Sequence, residues 1–164
     1  MYTIALAVLI AVAPTPERDH RSAPIPHVTR AVAVDESAER LIEKAREAQA
    51  RGDLDGAYRD FARAVRRQRA DGVLAVDASY GAAHVLVMQS RFREAADALE
   101  QLAADANLLG DANTEAQVLL DLVSLKVSHH RRAAARPDVL RLQALITDVR
   151  VSTDTQRLIK ARLS

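Results

Sequence analysis

Residues 52–65 read Gly-Asp-Leu-Asp-Gly-Ala-Tyr-Arg-Asp-Phe-Ala-Arg-Ala-Val, and residues 90–102 read Ser-Arg-Phe-Arg-Glu-Ala-Ala-Asp-Ala-Leu-Glu-Gln-Leu. Small and large apolar residues of the two stretches align at a spacing of 38 residues: Leu54 with Phe92, Ala57 with Ala95, Phe61 with Leu99, and Ala64 with Leu102. A period of this length is typical of supersecondary units that stack on one another. The sequence therefore predicts a helical repeat protein, which presents surfaces rather than catalytic chemistry.

The composition favours helices along the whole repeat region. The chain has 164 residues, of which 49% are hydrophobic but only 3% are aromatic. Its apolar side chains are therefore mostly those of Ala, Leu and Val, and Ala and Leu have the highest helix propensities. The Gly and Pro residues fall mostly between the apolar periodic segments. We expect an all-α fold in which helices approach closely where alanine faces alanine.

Helix breakers and caps divide the repeat region into helices. A first helix begins near Ser37, which can act as its N-cap, and Gly52 ends it. Apolar spacing predicts further helices over about 53–70, 76–89, 92–107 and 112–129. Each repeat is thus a hairpin of two helices. Neither hairpin can bury its apolar face alone, so the hairpins must stack.

These residues resemble the tetratricopeptide repeat (TPR), whose second helix carries Gly-Asp-Tyr-x-x-Ala-x-x-x-Phe-x-x-Ala. The first unit matches this pattern, with Leu54 in place of Tyr, at Gly52, Asp53, Ala57, Phe61 and Ala64. The second unit matches at Ala83, Phe92, Ala95 and Leu99, with Ser90 in place of Gly and Leu102 in place of Ala. The resemblance covers about residues 38–130 and implies repeats at 37–71 and 72–109. Its period is four residues longer than the usual 34.

The pattern weakens in the C-terminal part of the chain. Ala133 keeps the register, but Pro137 stands where a large residue is expected, so we predict a divergent third repeat over 110–136. Over 137–164 we predict cap helices. Pro137 begins one of them, and Thr153 with Gln156 forms the capping box of another. The expected domain at 37–164 is a short TPR-like solenoid of stacked antiparallel helix hairpins with a divergent C-terminal helical cap.

The N-terminus has the features of an export signal. Residues 4–13 are uninterrupted apolar residues, too short to span a bilayer, and Ala11-Val12-Ala13 has the form of a signal-peptidase site. The missing basic residue before this run and Pro14 after it disagree with that interpretation. We expect a signal-peptide-like or short anchor segment at 1–13, a Pro-containing flexible linker at 14–36, and an exported protein, periplasmic or extracellular. A cytoplasmic protein is the alternative if residues 1–13 are not a signal.

The sequence contains no motif of a catalytic, metal or phosphate site. It has no cysteine, no His-Glu-x-x-His, no Gly-rich phosphate loop and no Gly-x-Ser-x-Gly. His129 and His130 are adjacent, and neighbouring side chains on a helix point too far apart to share a metal ion. The net charge is +1 from 23 basic and 22 acidic residues, interleaved, which gives no general attraction to nucleic acid. We expect no enzyme activity, no cofactor, no metal, no nucleic-acid partner, and no membrane contact except through an uncleaved N-terminal segment.

The TPR resemblance implies a groove lined by the first helix of each repeat. Tyr80 and His84 lie four residues apart and share a helix face with Met88. Carried over at the 38-residue register, the groove also contains Ile42, Arg46 and Gln49 from the first repeat, and Val118, Leu122 and Lys126 from the third. The candidate partner-binding residues are Arg46, Gln49, Tyr80, His84, Met88 and Lys126.

The resemblance implies a non-catalytic scaffold that binds a peptide or a helical surface of a protein partner. Aromatic and arginine side chains in such a groove suit partner recognition. As an alternative, Tyr80 packs against the cap or a neighbouring hairpin. The alternative function is a self-associating structural helical protein that uses apolar helix faces at the C-terminus. An enzyme would need a pocket that brings a carboxylate to His84.

Overall fold

A computed structural model describes residues 36–163, which form seven α-helices and no β-strand. The helices are α1 (Ala38–Ala50), α2 (Leu54–Ala70), α3 (Val76–Met88), α4 (Phe92–Leu108), α5 (Ala112–Ser128), α6 (Arg132–Leu145) and α7 (Thr153–Leu163). The expected all-α class is therefore confirmed for this range. The expected signal at 1–13 and nearly all of the expected linker at 14–36 lie outside the described residues, and they stay predictions.

Neighbouring helices pack against each other in chain order from α1 to α7. Residues 51–53, 89–91 and 129–131 connect the pairs α1/α2, α3/α4 and α5/α6, and three residues suffice only to reverse the chain between packed helices. Helix α1 also contacts α3, and α5 also contacts α7. The helix hairpin is thus the building unit of this range.

Five of these helices end on one residue with left-handed backbone conformation. These residues are Gly52, Gly72, Ser90, Gly110 and His130, with φ between 59° and 79°. In each case the N–H of the following residue donates to a carbonyl five residues earlier, as Asp53 does to Ala48 at 2.9 Å. This is the Schellman motif, which ends a helix and satisfies its last carbonyls. Ser90 and His130 thus hold a conformation that glycine adopts at lower cost.

Side-chain caps fix two helix starts, one as expected and one not. Ser37 Oγ accepts a hydrogen bond from the Arg40 N–H at 3.3 Å, which confirms its role as the N-cap of α1. The capping box expected for Thr153 and Gln156 is wrong, because α7 already begins at Thr153. The cap is Ser152, whose Oγ accepts from the Thr155 N–H at 3.2 Å.

Helix α6 does not begin at Pro137, as expected, but at Arg132, and Pro137 lies in its interior. Proline removes one N–H from the helix, so the carbonyl of Ala133 loses its usual donor. Both residues are exposed, so water can bond this carbonyl. A second compensation comes from Lys126, whose Nζ donates to the next carbonyl, that of Ala134, at 3.2 Å. The helix therefore crosses the boundary at 136/137 that the sequence suggested between the third repeat and the cap.

The core consists of two clusters of buried residues. One cluster surrounds Phe61 and joins α1, α2 and α3, and the other contains Leu102, Leu122 and Leu142 and joins α3 to α7. Many of the contacting residues are alanines with almost no exposed surface. Gly81 makes the closest approach, because a Cβ there would lie 2.3 Å from Cε1 of Phe61. Small residues thus let the helices pack closely, as the composition indicates.

Replacing Ser90 by Gly is expected to raise the free energy of unfolding by about 1 kcal/mol, because glycine avoids the steric cost of the left-handed conformation. The matched variant Gly110→Ser should lower it by a similar amount. No atom lies within 4 Å of a Cβ built at Gly110, so only the backbone conformation changes. Urea denaturation followed by circular dichroism measures both values. Unchanged stability in both variants would contradict the strain at Ser90.

Candidate functional site

Helices α3 and α5 are separated by a cavity rather than packed on each other. Among the described residues, no Cα of α3 lies within 8 Å of a Cα of α5, although α1 and α3 do approach this closely. The cavity has a volume of about 310 Å³, and we call it the α3–α5 cavity. Its lining residues are Tyr80, Gln117, Leu120, Asp121, Ser124, Leu158 and Arg162. Three helices thus contribute to it, because Leu158 and Arg162 belong to α7.

Tyr80 joins the two sides of this cavity. Its hydroxyl donates to Oδ2 of Asp121 at a distance of 2.8 Å, and its ring is half-buried. Burial of the phenol raises the pKa of Tyr80 far above its usual value, and the hydrogen bond and negative charge of Asp121 raise it further. The hydroxyl therefore stays protonated and acts as a donor at every physiological pH. Tyr80 packs and also lines the cavity, so both interpretations of this residue hold.

Gln49, His84 and Met88 form a second polar group between α1 and α3. Nε2 of Gln49 lies 2.9 Å from Nδ1 of His84 and 3.5 Å from Sδ of Met88. An amide nitrogen can only donate, so Nδ1 of His84 accepts, and the neutral ring carries its proton on Nε2. His84 is exposed, and Met88 exposes 49% of its surface. An N–H donor and a polarisable thioether are thus available on this surface.

Arg46 lies on α1 at the edge of the same surface. Its Nη2 is 3.6 Å from Oδ2 of Asp77 on α3, and both side chains are largely exposed. Exposed pairs of this kind contribute little to stability. The structure therefore brings together five of the six candidate residues along α1 and α3.

Lys126, the sixth candidate residue, does not lie in the groove. Its side chain is only 5% exposed, and Val118 and Leu122 on the same face of α5 are fully buried. Gln117 and Asp121 face α3 instead. The register of 38 residues does not extend to this helix, because α3 begins 38 residues after α1 whereas α5 begins 36 residues after α3. Connection 109–111 is two residues shorter than connection 71–75, so the side chains of α5 rotate away from the expected positions.

Lys126 instead holds α5 to both neighbouring helices. Its Nζ lies 2.6 Å from Oδ2 of Asp138 on α6 and 2.6 Å from Oε1 of Glu100 on α4. Burial alone lowers the pKa of Lys126, but the bonds to the two carboxylates outweigh it and raise the pKa. The ammonium group is therefore a permanent structural charge.

Glu115 does the same near the beginning of α5. Its carboxylate is 5% exposed and accepts from Nε and Nη2 of Arg141 on α6, at 2.6 and 2.9 Å. It also accepts from Nδ2 of Asn107, the penultimate residue of α4, at 3.2 Å. A buried anion and a buried cation thus fix the two ends of α5, and neither was identifiable as such from the sequence.

The variant Lys126→Met is expected to lower the free energy of unfolding by about 3 kcal/mol, because it leaves the mostly buried Asp138 carboxylate without its cation. The double variant Lys126→Met/Asp138→Leu should recover at least half of this loss, since it replaces the buried pair by apolar groups. Denaturant titrations give the three values. A double variant no more stable than the single one would refute the pairing.

Two further features of the described range concern membranes and metals. None of the helices within 36–163 is both long and apolar enough to cross a bilayer. In the same range no three His, Asp or Glu side chains are grouped so that they could hold a metal ion. The site is therefore described by the groove residues alone.

Comparisons with protein-family models, with curated proteins and with solved structures give no significant match for this chain. The resemblance to TPR proteins thus rests on the residues quoted above. The site is argued from its own geometry.

Proposed function

We propose that this chain is a non-catalytic protein-protein interaction scaffold of the TPR type. A peptide or a helical surface of the partner lies along α1, α3 and α5. The observation that carries this proposal is the α3–α5 cavity, where the helix backbones separate and leave about 310 Å³ beside Tyr80. A side chain of a partner can enter a space of this size without displacing a helix.

The chemistry of the groove suits a peptide. Tyr80 and Met88 offer apolar surface, and the Nε2–H of His84 offers a donor for a backbone carbonyl. Methionine side chains adapt to different apolar groups, and tyrosine provides contact area at a low entropic cost. Gln117 on α5 is exposed and can both donate and accept. The surface therefore combines apolar anchoring with hydrogen bonding.

Helix α7 extends the groove beyond α5. Leu158 lines the cavity and exposes 56% of its surface, and Arg162 donates from Nη1 to Oγ of Ser124 at 3.3 Å. The position of α7 against α5 corresponds to that of α3 against α1, since in both cases the helices contact across a hairpin. We therefore assign α7 a part in binding as well as in covering the last hairpin.

The groove is tested with peptides selected on the full-length chain from a random phage-displayed library. The double variant Tyr80→Ala/His84→Ala is expected to weaken the selected peptides about tenfold or more, because it removes an aromatic contact and a donor from the centre of the site. Fluorescence anisotropy of labelled peptides measures the change.

The variant Arg40→Ala/Arg66→Ala provides the matched control, because both side chains lie on α1 and α2 without a partner in the described range. Its affinity for the same peptides should stay within about twofold of the wild type. Peptides that bind the groove variant as well as they bind the wild type would place binding elsewhere.

Self-association is a second candidate function, and a different surface from the one expected favours it. Val73, Leu108 and Leu109 are exposed by 52%, 85% and 56% and line a cavity of about 290 Å³ at the ends of α2 and α4. Arg69 and Asp105 beside them form an ion pair of 2.6 Å. The patch thus carries both charge signs and is complementary to itself in a two-fold dimer.

If this patch pairs two copies, light scattering of the full-length chain should give a dimer, and Leu108→Asp should give a monomer because it places a charge in the apolar contact. Val149→Asp is the control, since Val149 is 95% exposed and lies in the α6–α7 connection, outside the patch. A wild-type mass that stays monomeric at high concentration would exclude this function.

A further inference from the structure

Four arginines gather around the α5–α6 turn. Arg131 and Arg132 follow the turn directly, and Arg136 lies one helical turn later on the same face of α6 as Arg132. The ring of Phe92 stacks on His129 with centroids 3.5 Å apart and an interplanar angle of 18°. This contact holds the first turn of α4, which includes Arg93, against the α5–α6 turn. We call Arg93, Arg131, Arg132 and Arg136 the arginine patch.

None of these four side chains has a hydrogen bond or an ion pair with another residue in the range 36–163. Arg40 and Arg66 are the only other arginines in that range of which this is true. The remaining arginines bond to carboxylates, carbonyls or hydroxyls, as Arg69 does to Asp105 and Arg141 to Glu115. Unpartnered positive charge is thus concentrated in one place.

Helix stability does not explain the position of the arginine patch. Positive charge at the beginning of a helix opposes the helix dipole. Every other described helix carries an acidic residue in its first turn, whereas α6 has none and begins with Arg132. The patch therefore costs stability where it stands, and this favours a role outside folding.

We propose that the arginine patch binds an acidic segment of a partner protein. Guanidinium groups bind carboxylates through two parallel hydrogen bonds, and all four cations of the patch are arginines. Leu140 lies one helical turn beyond Arg136 on the same face of α6 and is 66% exposed. The face thus fits a segment in which Asp or Glu residues alternate with aliphatic ones.

Two other anionic partners fit less well. Nucleic-acid strands bind through aromatic side chains as well as charges, and the ring of Phe92 is already stacked on His129. A lipid surface needs a broad apolar face beside the charges, and at the patch the α6 face presents Leu140 alone. The overall charge of +1 also provides no long-range attraction to either polyanion.

The probe is a short fluorescein-labelled peptide of glutamates with a leucine at every fourth position, and its affinity for the full-length chain is measured by anisotropy. The variant Arg132→Gln/Arg136→Gln is expected to weaken binding about tenfold, because it removes two charge-assisted contacts. Raising the salt concentration should weaken the wild type as well, because it screens exposed charges.

Arg40→Gln/Arg66→Gln is the matched control, because it removes the same charge from two arginines that are equally unpartnered. It should retain the wild-type affinity, and so should Tyr80→Ala/His84→Ala, since the patch is separate from the groove. Absence of peptide binding to the wild type, or equal weakening by the two arginine double variants, would overturn the proposal. So would a patch-dependent interaction with a DNA duplex or with phosphatidylserine vesicles when the peptide does not bind.

Discussion

Reversal of the chain within three residues is the constraint on which the rest of this structure depends. Two helices joined so tightly must lie antiparallel and in contact, so each buries one apolar side against its predecessor. The left-handed residue after each helix makes this reversal possible, and Ser90 and His130 adopt that conformation where the other turns have glycine. The core alanines then decide how closely the helices approach. Gly81 against Phe61 is the extreme case, because no side chain fits between the two helices there.

Connection length also decides which side chains reach the groove. A difference of two residues between connections 71–75 and 109–111 rotates α5 relative to α3, so that Val118, Leu122 and Lys126 enter the core. Asp121 takes the place opposite Tyr80, and the two side chains meet across a gap that the backbones do not close. The α3–α5 cavity is therefore a consequence of helix register, and its polar lining follows from the same rotation.

Much of the fold could be predicted from the sequence because its signals are local. Ser37, Gly52 and Gly72 mark helix ends through their own backbone and side-chain chemistry, and the helix bounds from α1 to α5 agree with the expected ones within one or two residues. Pro137 misled the prediction because it stands inside α6, where Lys126 and the exposure of Ala133 offset the missing N–H. That compensation is tertiary and leaves no local signal. For the same reason the sequence correctly grouped Tyr80, His84 and Met88 on one helix face but misplaced their neighbours on α5.

Charge pairing gives this molecule a further level of organisation that composition alone conceals. A net charge of +1 with interleaved signs indicates a uniformly solvated surface, yet the described charges fall into distinct classes. Glu115 and Lys126 are buried and hold α5 between α4 and α6. Arg46 and Asp77 pair loosely at the groove edge, where a partner can separate them at little cost. The arginine patch pairs with nothing in the described range, although acidic residues are nearly as numerous as basic ones in the chain. When most cations find a carboxylate within the fold, those that do not are placed for an external one.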